Sequence, residues 1–278
     1  MTCGKLERRV GDLGIRETRT DAASLGPDAI PVLIRHVPDG RPKRAVLMVH
    51  GMRGSAPWLA GRLPLDECPQ LLRVYVALPW LRDPGREKLR EMGRDDPVRR
   101  IFAPVVRDGV RELGAVADAV LARGDVIGDG FGLYGFSIGG LVALLGALAD
   151  PRATAVAVTG TVPNFGYLRA MLPAYDWAQP GLAGELAPLD ALPRAGELAP
   201  RALLVQHGTA DTDADPKYMR AFAEAARPSY AGQPERFRYE LYEGVKHDLA
   251  EADTEAGRAE LGRLRRDVAA WFAAHLAV

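Results

Sequence analysis

The stretch from Phe131 to Ala149, FGLYGFSIGGLVALLGALA, joins two apolar runs of different kinds through one glycine-rich junction. FGLYGF is short and β-favourable, as a buried strand is. LVALLGALA is apolar throughout and reads as a buried helix. Gly135, Ser137, Gly139 and Gly140 stand between and around them. A strand that passes directly into a helix must turn tightly, and the residues flanking the turn must be small for the two elements to approach. The serine at the apex is forced outward, above the end of a sheet. A glycine-rich turn can carry an incidental serine, so the weight of this junction depends on what the rest of the chain provides.

The remainder of the chain alternates strand-like and helix-like segments. IRETRT (15–20) and IPVLIRHV (30–37) flank Gly26, Pro27 and Asp28, a pattern that predicts an antiparallel hairpin. AVLMVH (45–50), RVYVALP (73–79), TAVAVTG (154–160), ALLVQHG (202–208) and FRYELYE (237–243) are further short strands. Apolar residues at 105, 106, 110, 113, 116, 117, 120 and 121 have helical spacing, predicting a helix within 104–123. Further helices are expected at 138–149, 216–227 and 253–276. The last carries Leu261, Leu264, Val268, Trp271, Phe272 and Leu276 on one side, a stripe for core packing. Such alternation predicts an α/β fold, a mostly parallel sheet wound with helices on both faces.

Two stretches interrupt the alternation. Residues 80–103 are charged and turn-rich. Residues 161–200 are rich in Pro and Gly and hold Phe165, Tyr167, Tyr175 and Trp177. Long excursions in a compact domain tend to be functional or disordered. The aromatics of the second give it material to pack, so a small lid or cap is expected there, within a single domain spanning residues 1–278. The word GELAP occurs twice, at 184–188 and 196–200, which is too little for a repeat architecture.

Composition narrows the function classes. The 278 residues suit one large α/β domain or two small ones. Acidic and basic residues balance at 36 each, so nothing favours nucleic acid or an anionic membrane as a partner. Cys3 and Cys68 are the only cysteines, and a reducing compartment is the simpler reading. No metal-ligand spacing exists, and no metal or cofactor is expected. The segment MTCGKLERRVGDLG lacks the apolar stretch of a signal peptide, and no run approaches the roughly 18 apolar residues of a membrane helix. A cytoplasmic protein of unassigned oligomeric state is expected.

The candidate chemistry lies at strand ends. AVLMVH runs into His50-Gly51-Met52-Arg53-Gly54. Acyl transfer to a serine needs two backbone N–H donors aimed at the developing oxyanion. In serine hydrolases of this architecture one belongs to the residue after the nucleophile, here Ile138, and the other to the loop after the third strand, where Met52 stands. His50 is expected to brace that loop. ALLVQHG leads to Asp211, placed where a carboxylate can reach a histidine on the next loop, with Asp213 and Asp215 as alternatives. FRYELYE leads to Gly244 and His247, the candidate base. His36, His207 and His275 are expected to be structural. The chain order is Ser137, Asp211, His247: nucleophile, acid, base.

The motifs VLMVHGMRGS, LYGFSIGG, LLVQHGTAD and EGVKHDL together resemble the α/β-hydrolases over nearly the whole chain from about residue 15. IPVLIRHVPDGRPKRAVLMVHG is similar to the dienelactone-hydrolase and prolyl-oligopeptidase-like esterase branch. The resemblance implies a mostly parallel eight-stranded sheet and a serine hydrolase acting on a carboxylic ester or thioester. It departs from that branch in having Ser137 where dienelactone hydrolases use cysteine, in lacking a β-propeller, and in carrying HGMRG in place of the HGGG of some lipases. Trp80, Phe165 and Trp177 are the candidate substrate-binding residues, with Trp58 and Tyr167 as further contributors. An Arg-rich segment at 82–100 could meet an anionic group, although its mixed acids favour a solvated loop. An acyltransferase or peptidase with the same triad, and a non-catalytic binding protein on the same scaffold, are the alternatives.

Overall fold

The computed structural model describes residues 18–82, 89, 91–249 and 253–276. Its eight strands form one sheet. They are β1 Arg19–Leu25, β2 Ile30–His36, β3 Arg44–Val49, β4 Leu71–Val76, β5 Phe131–Phe136, β6 Ala153–Thr159, β7 Ala202–Gly208 and β8 Phe237–Tyr242. Their order is β1-β2-β4-β3-β5-β6-β7-β8, and all pairings from β4 to β8 are parallel. At one edge β1 pairs antiparallel with β2, and β2 antiparallel with β4.

The hairpin falls later in the chain than the sequence suggests. The amide of Ala29 donates to Gly26 O at 3.2 Å and closes a tight turn, so pairing grows outward from Leu25–Ile30 to Arg19–His36. The turn, rather than β-propensity, sets the register, and it recruits the DAASL segment into β1. Residues 15–17 of the expected first strand lie outside the described residues.

The parallel strands alternate between two cores, as a period of two requires. Ala45, Leu47 and Val49 of β3, Val156 and Val158 of β6, and Leu203 and Val205 of β7 face one side. Val46 and Met48, Ala155 and Ala157, and Ala202 and Leu204 face the other. The first core is covered by α2 (Ala103–Leu121), α3 (Ile138–Ala149) and α4 (Pro216–Ala226). The second is covered by α1 (Ala56–Arg62) and α5 (Glu255–His275). Helix α3 is buried on nearly every side, which explains why its sequence shows no polar face. Helix α1 was not expected. Ser55 caps it, accepting from the Trp58 amide at 3.2 Å, and Pro57 sits in its first turn.

The 161–200 excursion connects β6 to β7. It consists of short helical turns at Phe165–Tyr167, Leu168–Met171, Leu182–Leu186, Ala187–Leu189 and Leu192–Leu198. Leu168, Leu182, Leu189 and Leu198 enter the same core as α2 and α3. Arg99 fastens the excursion from outside: its guanidinium donates to Glu185, to Gln179 Oε1 at 2.5 Å and to Pro180 O at 2.8 Å. The Tyr175 hydroxyl donates to Asp96 Oδ1 at 2.7 Å. Three arginines of the 82–100 segment pair with acids of the chain itself, Arg82 with Glu112, Arg99 with Glu185 and Arg100 with Asp95; residues 83–88 and 90 lie outside the described residues. Among the described residues no helix is long and apolar enough to cross a membrane.

Candidate active site

Ser137 sits at the turn from β5 into α3 with φ 55° and ψ −128°, a left-handed conformation that costs a non-glycine residue on the order of 1–3 kcal/mol. The surrounding structure holds it there. The Ser137 amide donates to Thr159 O at 3.0 Å, and the Thr161 hydroxyl donates to Ser137 O at 2.6 Å. The glycines around the serine are needed because backbone crowds backbone. A Cβ at Gly135 would stand 2.3 Å from Gly139 O, and one at Gly139 would stand 2.4 Å from His50 O. The strand-to-helix turn is therefore as tight as the sequence demands.

The ends of β7 and β8 are stitched together, which brings the second and third groups to the serine. The Thr209 amide donates to Tyr242 O at 2.9 Å and the Ala210 amide to Val245 O at 3.1 Å, while the Gly244 amide donates to the Thr209 hydroxyl at 3.0 Å. His247 Nε2 lies 3.0 Å from Ser137 Oγ, and His247 Nδ1 lies 2.8 Å from Asp211 Oδ2. Because Asp211 Oδ2 can only accept, Nδ1 carries the ring proton and Nε2 is free to accept from the serine hydroxyl. Residues separated in the chain by up to 110 positions thus form one line of hydrogen bonds.

Asp211 is the best-supplied acceptor of the site. Its Oδ1 accepts from the amides of Asp213 at 3.0 Å and Ala214 at 2.8 Å. Its Oδ2 accepts from His247 and stands 3.2 Å from His207 Nε2. Burial alone would raise this carboxyl, but the hydrogen bonds from His207 and His247, together with the charge of His247 and the Ala214 amide, outweigh it and hold the group lowered to about 2. The rival acids have other partners: Asp213 pairs with Arg53 at 3.0 Å, and Asp215 caps α4 by accepting from the Lys217 amide at 2.9 Å.

A cavity of about 290 Å³ opens over the serine, lined by Met52, Trp58, Phe102, Phe136, Ile138, Val162, Tyr167 and Met171, with Arg53, Asp213 and Asp248 among its polar residues. Met52 and Ile138 both belong to it. Ile138 is the first residue of α3, so its amide has no acceptor within the helix. Met52 lies in a turn closed by the Gly54 amide on Gly51 O at 3.0 Å, which leaves the Met52 amide outside the turn's own hydrogen bond. His50 braces this turn from below, with Nε2 accepting from the Leu78 amide at 3.1 Å and Nδ1 2.8 Å from Gly51 O.

The structure does not bring Trp80, Phe165 or Trp177 to this cavity. Trp80 Nε1 donates to Asp108 Oδ2 at 2.8 Å, which turns the indole towards α2. Phe165 and Trp177 line a separate recess with Asn164, Arg169 and Leu186. Trp177 is held there by its bond to Leu172 O at 3.3 Å and by the Arg169 guanidinium, 4.7 Å above its ring. The aromatic lining consists instead of Trp58, Phe102, Phe136 and Tyr167. Sequence reasoning named two of these as secondary candidates. It missed Phe136, although that residue adjoins the serine, and Phe102, whose position depends on how the 80–103 stretch folds back. Among the described residues no cluster of three or more His, Cys, Asp or Glu side chains is placed to hold a metal ion.

No protein-family model and no curated protein matches the sequence significantly. Solved structures do match the fold. TT1662 from Thermus thermophilus superposes with a TM-score of 0.65 at 23% identity, over 90% of this chain and 98% of that one. The esterase domain of a Rhodothermus marinus protein matches with a TM-score of 0.61 at 16% identity, over 94% of this chain and all of that one. A Mycobacterium tuberculosis puromycin-hydrolyzing peptidase matches with a TM-score of 0.66 at 19% identity, over 99% of this chain but only 43% of its own. A Klebsiella pneumoniae protein put forward as a dienelactone hydrolase matches with a TM-score of 0.63 at 16% identity, over 92% of this chain.

Proposed function

The chain has the α/β-hydrolase fold, and on it we propose a serine hydrolase that cleaves a carboxylic ester or thioester through an acyl-serine intermediate. The observation that carries this reading is the continuous line Ser137 Oγ–His247 Nε2–Asp211 Oδ2, at 3.0 and 2.8 Å, on the floor of an apolar cavity.

In this mechanism the substrate carbonyl carbon lies over Ser137 Oγ. His247 Nε2 takes the hydroxyl proton as the oxygen attacks, and Asp211 holds the Nδ1–H tautomer and stabilises the imidazolium. The amides of Met52 and Ile138 donate to the oxyanion, each worth about 3 kcal/mol in such sites. His247 then gives its proton to the leaving alcohol or thiol. Water, deprotonated by the same imidazole, releases the acid. Tyr167 and Met171 bring the 161–200 excursion to one side of the cavity, and in this reading the excursion serves as a small lid over the acyl group.

Several structural neighbours are named as peptidases, and an amide substrate is the second reading. The limited cavity favours a small to medium apolar acyl group. A panel of p-nitrophenyl esters and acyl thioesters of graded chain length tests the proposal. Turnover is expected, with stoichiometric labelling of Ser137 by a fluorophosphonate. Absence of both in folded protein would remove the enzymatic reading and leave a binding protein.

A further inference from the structure

His207 is the fully buried penultimate residue of β7, just before the acid's turn, and the mechanism above does not use it. Its Nε2 lies 2.7 Å from Ala214 O and 3.2 Å from Asp211 Oδ2. Both neighbours are acceptors, so Nε2 carries the proton; its shorter hydrogen bond goes to Ala214 O, and Asp211 Oδ2 is the longer second acceptor. Nδ1 of the same ring is buried and has no hydrogen-bond partner. An unsatisfied buried acceptor of this kind costs about 1–3 kcal/mol, which an apolar side chain would avoid. What the histidine provides in return is a second donor to the oxygen that already accepts from His247.

We infer that His207 is a positioning residue that tempers the basicity of His247 by sharing Oδ2 of Asp211. The inference rests on the proposed triad. The two imidazoles divide one carboxylate oxygen, and whatever hydrogen bonding His207 supplies leaves less negative charge to hold an imidazolium at His247. A less strongly held imidazolium gives up its proton more readily, both to the leaving group and to solvent. The other charged groups near this pair include three with ion-pair partners other than His207. Asp215 lies near His207 and pairs with Lys217 at 2.7 Å, Asp213 pairs with Arg53 at 3.0 Å, and Lys246, beside His247, pairs with Asp253 at 2.6 Å. Asp248 follows His247 in the cavity wall.

The test compares the wild type with His207→Leu, His207→Asn and His207→Gln in the full chain. Leucine removes the donor. The shorter amide of asparagine stands near Nδ1 and does not reach Oδ2, which guards against a leucine variant that fails to fold. The longer amide of glutamine places an N–H where Nε2 was. Two measurements are made: the pH profile of kcat/KM on a p-nitrophenyl ester, and a proton NMR titration of His247 in a Ser137→Ala background. The second needs no turnover, so it separates failure of this inference from failure of the hydrolase reading. Without the donor, the acid limb and the NMR midpoint are expected to move to higher pH by about half to one unit, and glutamine is expected to return both towards the wild type. A midpoint that stays put or moves lower in folded His207→Leu or His207→Asn, even with a lower rate, would overturn the inference and leave His207 a packing residue.

Discussion

The floor of the cavity and its wall are built on different principles. On the floor, at the ends of β5, β7 and β8, the acid and the base are committed: Asp211 Oδ1 accepts from two backbone amides, Oδ2 accepts from His247 with His207 3.2 Å away, and His247 is held at both nitrogens. The wall includes the largely apolar side chains of Trp58, Phe102, Tyr167 and Met171, and Met171 is 54% exposed. A network of directed hydrogen bonds has one arrangement, whereas a wall of van der Waals contacts has several of similar energy. On the proposed reading, the reacting atoms are specified by the floor and the choice of substrate is left to the wall.

From that contrast, the largest effects are expected from the floor. Ser137→Ala is expected to lower ester turnover by about 10⁵-fold or more while the fold and KM-type binding survive. Steady-state kinetics with circular dichroism check this, and retained activity would dismiss Ser137 as nucleophile. Asp211→Asn is expected to cost about 10⁴-fold, because an amide can donate to Nδ1 and turn the imidazole to the wrong tautomer. An effect under tenfold would point to Asp213 or Asp215 as the acid. Gly51→Ala comes next. Its Cβ would stand 2.9 Å from Ser137 Cβ and 3.1 Å from Phe136 Cδ1, so the serine or the Met52 turn must shift. A displacement of about 1 Å at the reacting centre costs on the order of 10²-fold, read as kcat falling more than KM rises.

The same floor makes a stability prediction. Asp211 is held at about 2 in the fold against 3.8 for the free group. A lowered carboxylate contributes stability that is fully present above the unfolded value and is lost as pH falls through the folded one. Asp211 thus contributes about 2 kcal/mol near neutrality, lost between roughly pH 4 and pH 2. Chemical denaturation of the wild type and of Asp211→Asn over that window checks it: the wild type is expected to lose about 2 kcal/mol more than the variant. Equal losses would mean that the carboxylate is no better solvated by its donors in the fold than in water.

The floor was legible in the sequence and the wall was not, for one physical reason. Ser137, Asp211 and His247 each stand within a few residues of a strand end, and strand ends in a parallel sheet have fixed neighbours once the sheet order is set. Glycines at 135 and 139 and the turns at Gly208 and Gly244 mark these places locally. Trp80 and Trp177 have no such marker. The sequence shows that they are large and apolar but not which partner claims the indole N–H: Asp108 for one, Leu172 O for the other. His207 is a third kind of case. Its position at a strand end was visible, but its closeness to Asp211 arises only when the chain turns back at Asp211–Ala214.

The smallest expected effect tests the wall itself. Met171→Ala removes an exposed thioether from the cavity rim and leaves Leu168, the buried anchor of the same turn, in place. Because so much of Met171 already meets water, its truncation is expected to change stability by less than about 0.5 kcal/mol. Methionine is a flexible gap-filler, so the rim it leaves is wider rather than collapsed. Esters of longer acyl chain should then gain in kcat/KM relative to short ones by about two- to five-fold, through KM, with kcat on the shortest ester unchanged. The comparison between floor and wall turns on this pattern. A fall in kcat on every ester would mean that the 161–200 segment helps to hold the reacting groups, and the separation of fixed chemistry from adjustable specificity would have to be given up.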